Sequence, residues 1–291
     1  MKVLVTIPHF HNPAGGGAYG STGKESARRA EALSRAIAGL HQSLGARQAF
    51  LYCLHEHVPG RGNGRLLKVN THAADVLDVV VCTVGNNHLV ENLSVPRDLF
   101  HHQPVKADPM LMGFACQQVL KAHLEKYDYY CYIEDDLCLS DPMFLPKIEW
   151  FGKSFGDETL LLPHRFELSE GLPLKKLYID GPVKPDFTAR WQDVNDRRWL
   201  RADFLGKEVL FERWSNPHSG CFFLSAAQME KWATAPWFGD GDCSFAGPLE
   251  SAASLGIMKT FRIYKPGFET AGFLEIQHLH NRYLGEALKI S

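Results

Sequence analysis

The chain has 291 residues, with 31 Lys and Arg against 33 Asp and Glu, a formal charge of −2 at pH 7. A hydrophobic share of 45% and a charged share of 22% are ordinary globular values. They exclude a disordered chain, a collagen-like repeat and a polybasic nucleic-acid tail. No apolar run approaches the roughly 20 residues of a membrane helix, and the first ten residues read as a strand rather than a signal peptide, so a cytoplasmic protein is expected. The seven cysteines include no CxxC pair and several lie in apolar runs, which suits reduced, buried thiols.

Lys2 to Ile7 is a short β-rich run, followed by a Gly-rich loop from Asn12 to Gly23. Lys24 to Leu40 predicts a helix, because Ala27, Ala30, Leu33, Ile37 and Leu40 recur every three or four residues. Gln48 to Leu54 reads as a second strand, Pro59 to Gly64 as a break, and Val76 to Val84 as a third strand. Pro109 to Glu125 reads as a helix with Asp108 as N-cap. Tyr127 to Ile133 is a fourth strand. Strands joined by helical crossovers favour a mostly parallel central sheet with helices on both faces.

The second half is less regular. Helices are expected at Met143–Phe151, Ala226–Ala233 and Leu249–Leu255. Strands are expected at Leu160–Leu162, Gly220–Leu224, Ile257–Tyr264 and Phe273–Leu279, with a long irregular excursion from Gly171 to Trp214. No repeat or clear linker divides the chain, so one α/β domain is expected over residues 1–291.

The fourth strand ends abruptly on Glu134, Asp135 and Asp136. In open α/β sheets ligands bind beyond the carboxyl ends of the strands. Three adjacent carboxylates repel one another, and a cation bound among them removes that cost. Oxygen ligands suit Mg²⁺ or Mn²⁺, which also bridge a diphosphate. His278 and His280 alternate with Gln277 and Leu279, so on a strand both face one side.

The strand ending in Glu134-Asp135-Asp136 resembles the DxD-type motif of GT-A-fold glycosyltransferases, in the Glu-Asp-Asp form of the N-acetylglucosaminyltransferase group. VTIPHFHN resembles the Pro-containing donor loop of that family, and HSGCFFLS its later strand with a small-residue entry. The resemblance implies a donor half over residues 1–140 and an acceptor half over 141–291, with a nucleotide-diphosphate sugar, a UDP-sugar above all, as donor. A saccharide or lipid-linked acceptor is implied, reached in the lipid case by a peripheral visit to the membrane. Asp136 would ligate Mn²⁺ or Mg²⁺, with His280 or His278 as a late second ligand. Asp135 would face the ribose, and Glu134 would order ligands or water behind the metal. Pro8 would lie in the donor loop, and Gly220 would let donor or acceptor approach the backbone. For an inverting enzyme the resemblance points to an acid at the start of a late helix as proton acceptor. Glu250 fits, with Asp240 and Asp242 as alternatives. Arg165 suits either a phosphate contact or a surface ion pair.

Two other readings compete. One is a non-catalytic nucleotide-sugar-binding protein on the same fold. The other, a dinucleotide-dependent oxidoreductase, rests on Gly15 to Gly20, which satisfy G-x-G-x-x-G but follow the first strand too distantly, and the next strand-end acid, Glu56, lies about twice as far on as the usual roughly 20 residues.

Overall fold

The computed structural model describes residues 1–15, 20–46, 49–53, 64–70, 76–169, 175–287 and 289. The first half consists of β1 (Lys2–Pro8), α1 (Ser26–Leu44), β2 (Phe50–Cys53), β3 (Arg65–Lys68), β4 (Val76–Thr83), β5 (His101–Pro104), α2 (Met112–Lys121) and β6 (Tyr129–Ile133). Then come β7 (Leu137–Cys138), α3 (Phe144–Phe155), β8 (Thr159–Leu161), β9 (His164–Leu168), β10 (Lys176–Tyr178), β11 (Trp199–Phe204) and β12 (Lys207–Glu212). The chain continues through β13 (Cys221–Ser225), α4 (Ala226–Ala233), α5 (Pro248–Thr260), β14 (Arg262–Pro266), β15 (Glu275–His278) and α6 (Arg282–Ala287).

The central sheet has the order β13-β6-β1-β4-β5. All its pairings are parallel except that of β13 with β6. Its strands alternate between two cores. Val3, Val5 and Ile7 pack with Leu33, Ile37 and Leu40 of α1. Leu4 faces the other way, into a core shared with Val119 of α2, Trp232 of α4 and Ala253 of α5. Helices therefore cover both faces, and a strand buried on both faces reads as a continuous apolar run. The fold is mixed α/β with a mostly parallel central sheet, as the strand and helix pattern predicts. Pro8, Glu134 and Gly220 share one edge of this sheet, where the Glu134 N–H donates to the Gly220 carbonyl at 2.9 Å.

A smaller sheet, β10-β9-β15-β7, stands at that edge. β15 runs antiparallel to β7, placing His278 opposite Leu137, and parallel to β9, placing Ile276 opposite Arg165. A third sheet has the order β11-β12-β14-β8. Strand β2 pairs with β3 alone and takes no place in the central sheet.

Three expectations change. The strand expected from Ile257 is helix as far as Thr260, and β14 starts only at Arg262. Gly256 does not break α5; a Cβ there would lie 2.8 Å from the Trp232 ring, so its bareness lets α5 press against α4. The excursion from Gly171 to Trp214 contains an antiparallel hairpin, with Phe204 opposite Lys207. Its turn residues Leu205 (φ +54) and Gly206 (φ +77) are both left-handed, as a two-residue hairpin turn requires, but Leu-Gly is not the usual Asn-Gly signal. The helix expected from Pro109 to Glu125 starts as a 3₁₀ turn, capped by Asp108 accepting from the Met110 N–H, and α2 stops at Lys121.

The described cysteines are all unpaired, and Cys53, Cys82, Cys116, Cys131 and Cys221 are buried. No described helix is long and apolar enough to cross a membrane.

Candidate active site

The three acids leave β6 at the sheet edge and meet different neighbours. Asp135 turns toward β1 and α1. Its Oδ1 and Oδ2 accept from Arg29 Nη2 at 2.7 and 2.6 Å, and Oδ2 also accepts from His9 Nδ1 at 2.6 Å. The Leu89 N–H donates to His9 Nε2 at 3.1 Å, so that nitrogen is the acceptor and Nδ1 carries the proton given to Asp135. Both oxygens of Asp135, the residue expected at the ribose, accept from protein donors.

Asp136 turns the other way, toward β15. Its Oδ2 stands 3.3 Å from His280 Nε2 and 3.7 Å from His278 Nε2. Strand pairing sets this proximity, since the Leu279 N–H donates to the Asp136 carbonyl at 2.8 Å. His278 Nδ1 lies 2.9 Å from Glu167 Oε1, and Glu167 also accepts from the N–H groups of Tyr283 and Leu284. Glu167 accepts throughout, so His278 Nδ1 carries a proton, and Nε2 faces Asp136. Asp136 Oδ1 is buried and has no hydrogen-bond partner. Burial would raise the Asp136 carboxyl, but His280, His278 and Arg29 beside it outweigh that and hold it below the usual carboxylate range.

Glu134 lies behind the pair. An added Cβ at Gly220 (φ +62) would come within 2.6 Å of Glu134 Oε2, so the bare backbone lets this carboxyl group pack closely. Arg165 Nη1 is 3.6 Å from Oε2 and His218 Nε2 is 3.8 Å from Oε1, which is buried without a hydrogen-bond partner. Burial, reinforced by Asp136, Glu250 and Asp135 and opposed by Arg165, pushes Glu134 up to about 8.

Arg165 is no surface ion pair. It is buried and donates from Nε and Nη2 to Asp180 Oδ1 at 3.0 and 2.9 Å. Lys265 Nζ, also buried, lies 3.4 Å from Asp180 Oδ2. Burial alone would raise Asp180, but Arg165 and Lys265 hold it far below the carboxylate range. Burial, aided by Arg165, keeps His218 well below the ordinary histidine value.

Two cavities meet at the acids. A smaller one of about 270 Å³ runs past Pro8, Phe10, Met110 and Met112. A larger one of about 670 Å³ runs past Arg165, Asp180, Asn216 and His218. Arg29, Glu134, Asp136, Leu249 and Glu250 line both. Glu250 is in the first turn of α5, where Pro248 opens the helix. Asp240 and Asp242 pair with Lys259 at 3.5 and 2.9 Å and line neither cavity. Residues 16–19 of the G-x-G-x-x-G segment lie outside the described residues.

Sequence reasoning missed Arg29, Glu167 and Asp180. Arg29 carried a signal: it precedes Leu33 by four residues, so a charge occupies the buried stripe of α1.

Among the described residues, no three His, Cys, Asp or Glu side chains already converge as a metal cage. The donor set nonetheless fits a divalent cation. Two ligands bound at about 2.1 Å and at right angles stand about 3 Å apart. Asp136 Oδ2 and His280 Nε2, at 3.3 Å, are near that separation, and the unpartnered Asp136 Oδ1 leaves further acceptor capacity.

No protein-family model and no curated protein matches the sequence. Among solved structures, the chain is similar to a mycobacterial protein, with 13% identity and a TM-score of 0.43 over 95% of this chain and 65% of that one. It is similar to TarS of S. aureus, with 11% identity and a TM-score of 0.43 over 91% of this chain and 35% of that one. It is also similar to glucosyl-3-phosphoglycerate synthase from Mycobacterium tuberculosis, solved in complex with Mn²⁺, UDP-glucose and phosphoglyceric acid, with 15% identity and a TM-score of 0.38. That likeness covers 78% of this chain and 57% of that one. Likenesses this remote transfer no residue role.

Proposed function

We propose that the protein is a metal-dependent glycosyltransferase of GT-A type that takes a nucleotide-diphosphate sugar, a UDP-sugar above all, and glycosylates a saccharide or lipid-linked acceptor. One observation carries this reading: two cavities of unequal size meet on an acid cluster at the carboxyl edge of a mostly parallel sheet. Group transfer between two substrates needs two chambers with one shared reacting point.

The smaller, more apolar chamber at Pro8 and Met110 suits the nucleoside, and the larger, polar chamber suits the acceptor. Asp136 with His280 and His278 would hold Mn²⁺ or Mg²⁺, which supplies Lewis-acid neutralisation of the departing diphosphate. Asp135 positions Arg29 rather than the ribose. Glu250 takes the proton of the attacking acceptor hydroxyl, whose oxygen bonds to the anomeric carbon from the face opposite the leaving group. The bond from that carbon to the diphosphate oxygen breaks, and the nucleoside diphosphate leaves with the electron pair. Inversion follows from this displacement. Glu250 is the only carboxylate of the helix α5 first turn, and it lines both chambers.

A panel of nucleotide sugars with Mn²⁺, with and without saccharide and lipid-linked acceptors, tests the reading by release of nucleoside diphosphate. One donor should be turned over, faster with an acceptor, and EDTA should stop the reaction. Tight donor binding without release under any condition would instead make the protein a nucleotide-sugar binder.

A further inference from the structure

Arg29 occupies an unusual place. The guanidinium is buried and divides its two terminal nitrogens between the two aspartates. Nη2 donates to both oxygens of Asp135. Nη1 lies 3.5 Å from Asp136 Oδ2 and 3.3 Å from His280 Nε2. Nη1 therefore sits against both of the atoms that a metal would use.

We propose that Arg29 is a resident counter-cation competing with the divalent metal for Asp136 and His280, so that a cation binds only when Nη1 withdraws. This rests on the metal reading given above. Nη1, at 3.5 Å from Asp136 Oδ2 and 3.3 Å from His280 Nε2, stands where a metal bridging those two atoms would have to sit. Two cations at one carboxylate also repel, and a buried setting weakens that repulsion little. Arg29 lines both cavities, so a displaced guanidinium faces the space assigned to an anionic diphosphate. The metal and the diphosphate then help one another: the anion offers Arg29 a new acceptor, and the departure of Arg29 frees the metal ligands. Metal alone binds weakly and metal with nucleotide binds strongly, a coupling set by this one side chain.

The experiment measures Mn²⁺ affinity without nucleotide and then with UDP, by calorimetry on the full chain. Arg29→Gln keeps a donor for Asp135 but removes the charge, and should bind Mn²⁺ alone at least about tenfold more tightly than wild type. UDP should then improve Mn²⁺ affinity less in Arg29→Gln than in wild type. Arg29→Lys, which keeps the charge, should show no such tightening. A side chain that served only to hold the fold would give the opposite sign, weaker metal binding on removal. Folded Arg29→Gln protein, checked by its melting transition, that binds Mn²⁺ no tighter than wild type overturns the proposal. A crystal of the wild-type protein soaked in MnCl₂ needs no variant. Manganese at Asp136 and His280 with Nη1 moved off both supports it, and manganese there with Nη1 still in place overturns it. Manganese bound by no variant, even with UDP, overturns instead the metal reading beneath the proposal.

Discussion

Asp135 and Asp136 are neighbours in the chain and opposites in chemistry. On the β1–α1 side, Asp135 is held by His9 and Arg29, and both its oxygens accept. On the β15 side, Asp136 has a buried oxygen with no hydrogen-bond partner, and two imidazole nitrogens stand within 3.7 Å of the other. The first arrangement is complete within the protein and the second is not. Within one acid cluster, one member is saturated by protein donors, and the other keeps acceptor capacity that the proposed metal would use.

The sharpest way to break that contrast is to remove each acid in turn. Asp135→Ala leaves Arg29 buried with its main partner gone, and should cost about 3–5 kcal/mol of stability. Asp136→Ala should cost less than half as much, because its carboxylate has fewer partners to abandon. Urea unfolding of the two variants measures this, and equal losses would erase the distinction. Glu250→Gln, on the open side, should leave stability nearly unchanged and lower kcat by about 10²–10⁴-fold, with a smaller effect on KM. Steady-state kinetics with the donor that the nucleotide-sugar panel identifies would check it.

His164 lies outside the acid cluster and gives a comparison away from it. It is buried and donates from Nε2 to the Pro266 carbonyl at 2.7 Å. Burial, with Lys265 nearby, lowers it to about 4. Between that value and the ordinary histidine value of 6.5 the unfolded chain binds a proton that the folded chain does not. Stability therefore falls as pH drops through this window, by up to about 3 kcal/mol from this group. His164→Gln should flatten that part of the stability–pH profile, which denaturation at pH 4.5, 5.5 and 6.5 would show. Gly220→Ala should cost about 1–3 kcal/mol, from the left-handed backbone and the clash with Glu134. A melting curve reads it, and a neutral result would mean that Glu134 yields freely.

How much of this was legible depends on where each contact is encoded. The strands β1, β4 and β6 were, because burial on both faces writes itself as an apolar run. The acids were, because charge at the end of such a run is abrupt. His278 and His280 were legible as an alternating pair, but β15 ends at His278, and their approach to Asp136 depends on β15 pairing with β7. Glu167 reaches His278 across 111 residues, through the pairing of β9 with β15, and no local pattern announces that register. Arg29 is the intermediate case: its place on the apolar stripe of α1 is visible, while the acids it serves are set by packing. The β11–β12 hairpin escaped notice because its turn is Leu205-Gly206, an uncommon pair for two left-handed residues.

The central claim is that Asp136 couples a divalent cation to a nucleotide diphosphate. Calorimetric titration of UDP into wild type and Asp136→Ala, each with Mn²⁺ and with EDTA, tests it most directly. The account predicts binding to wild type only in the presence of Mn²⁺, and none to Asp136→Ala under either condition. UDP affinity that is the same with and without Mn²⁺, or unchanged by Asp136→Ala, would contradict it.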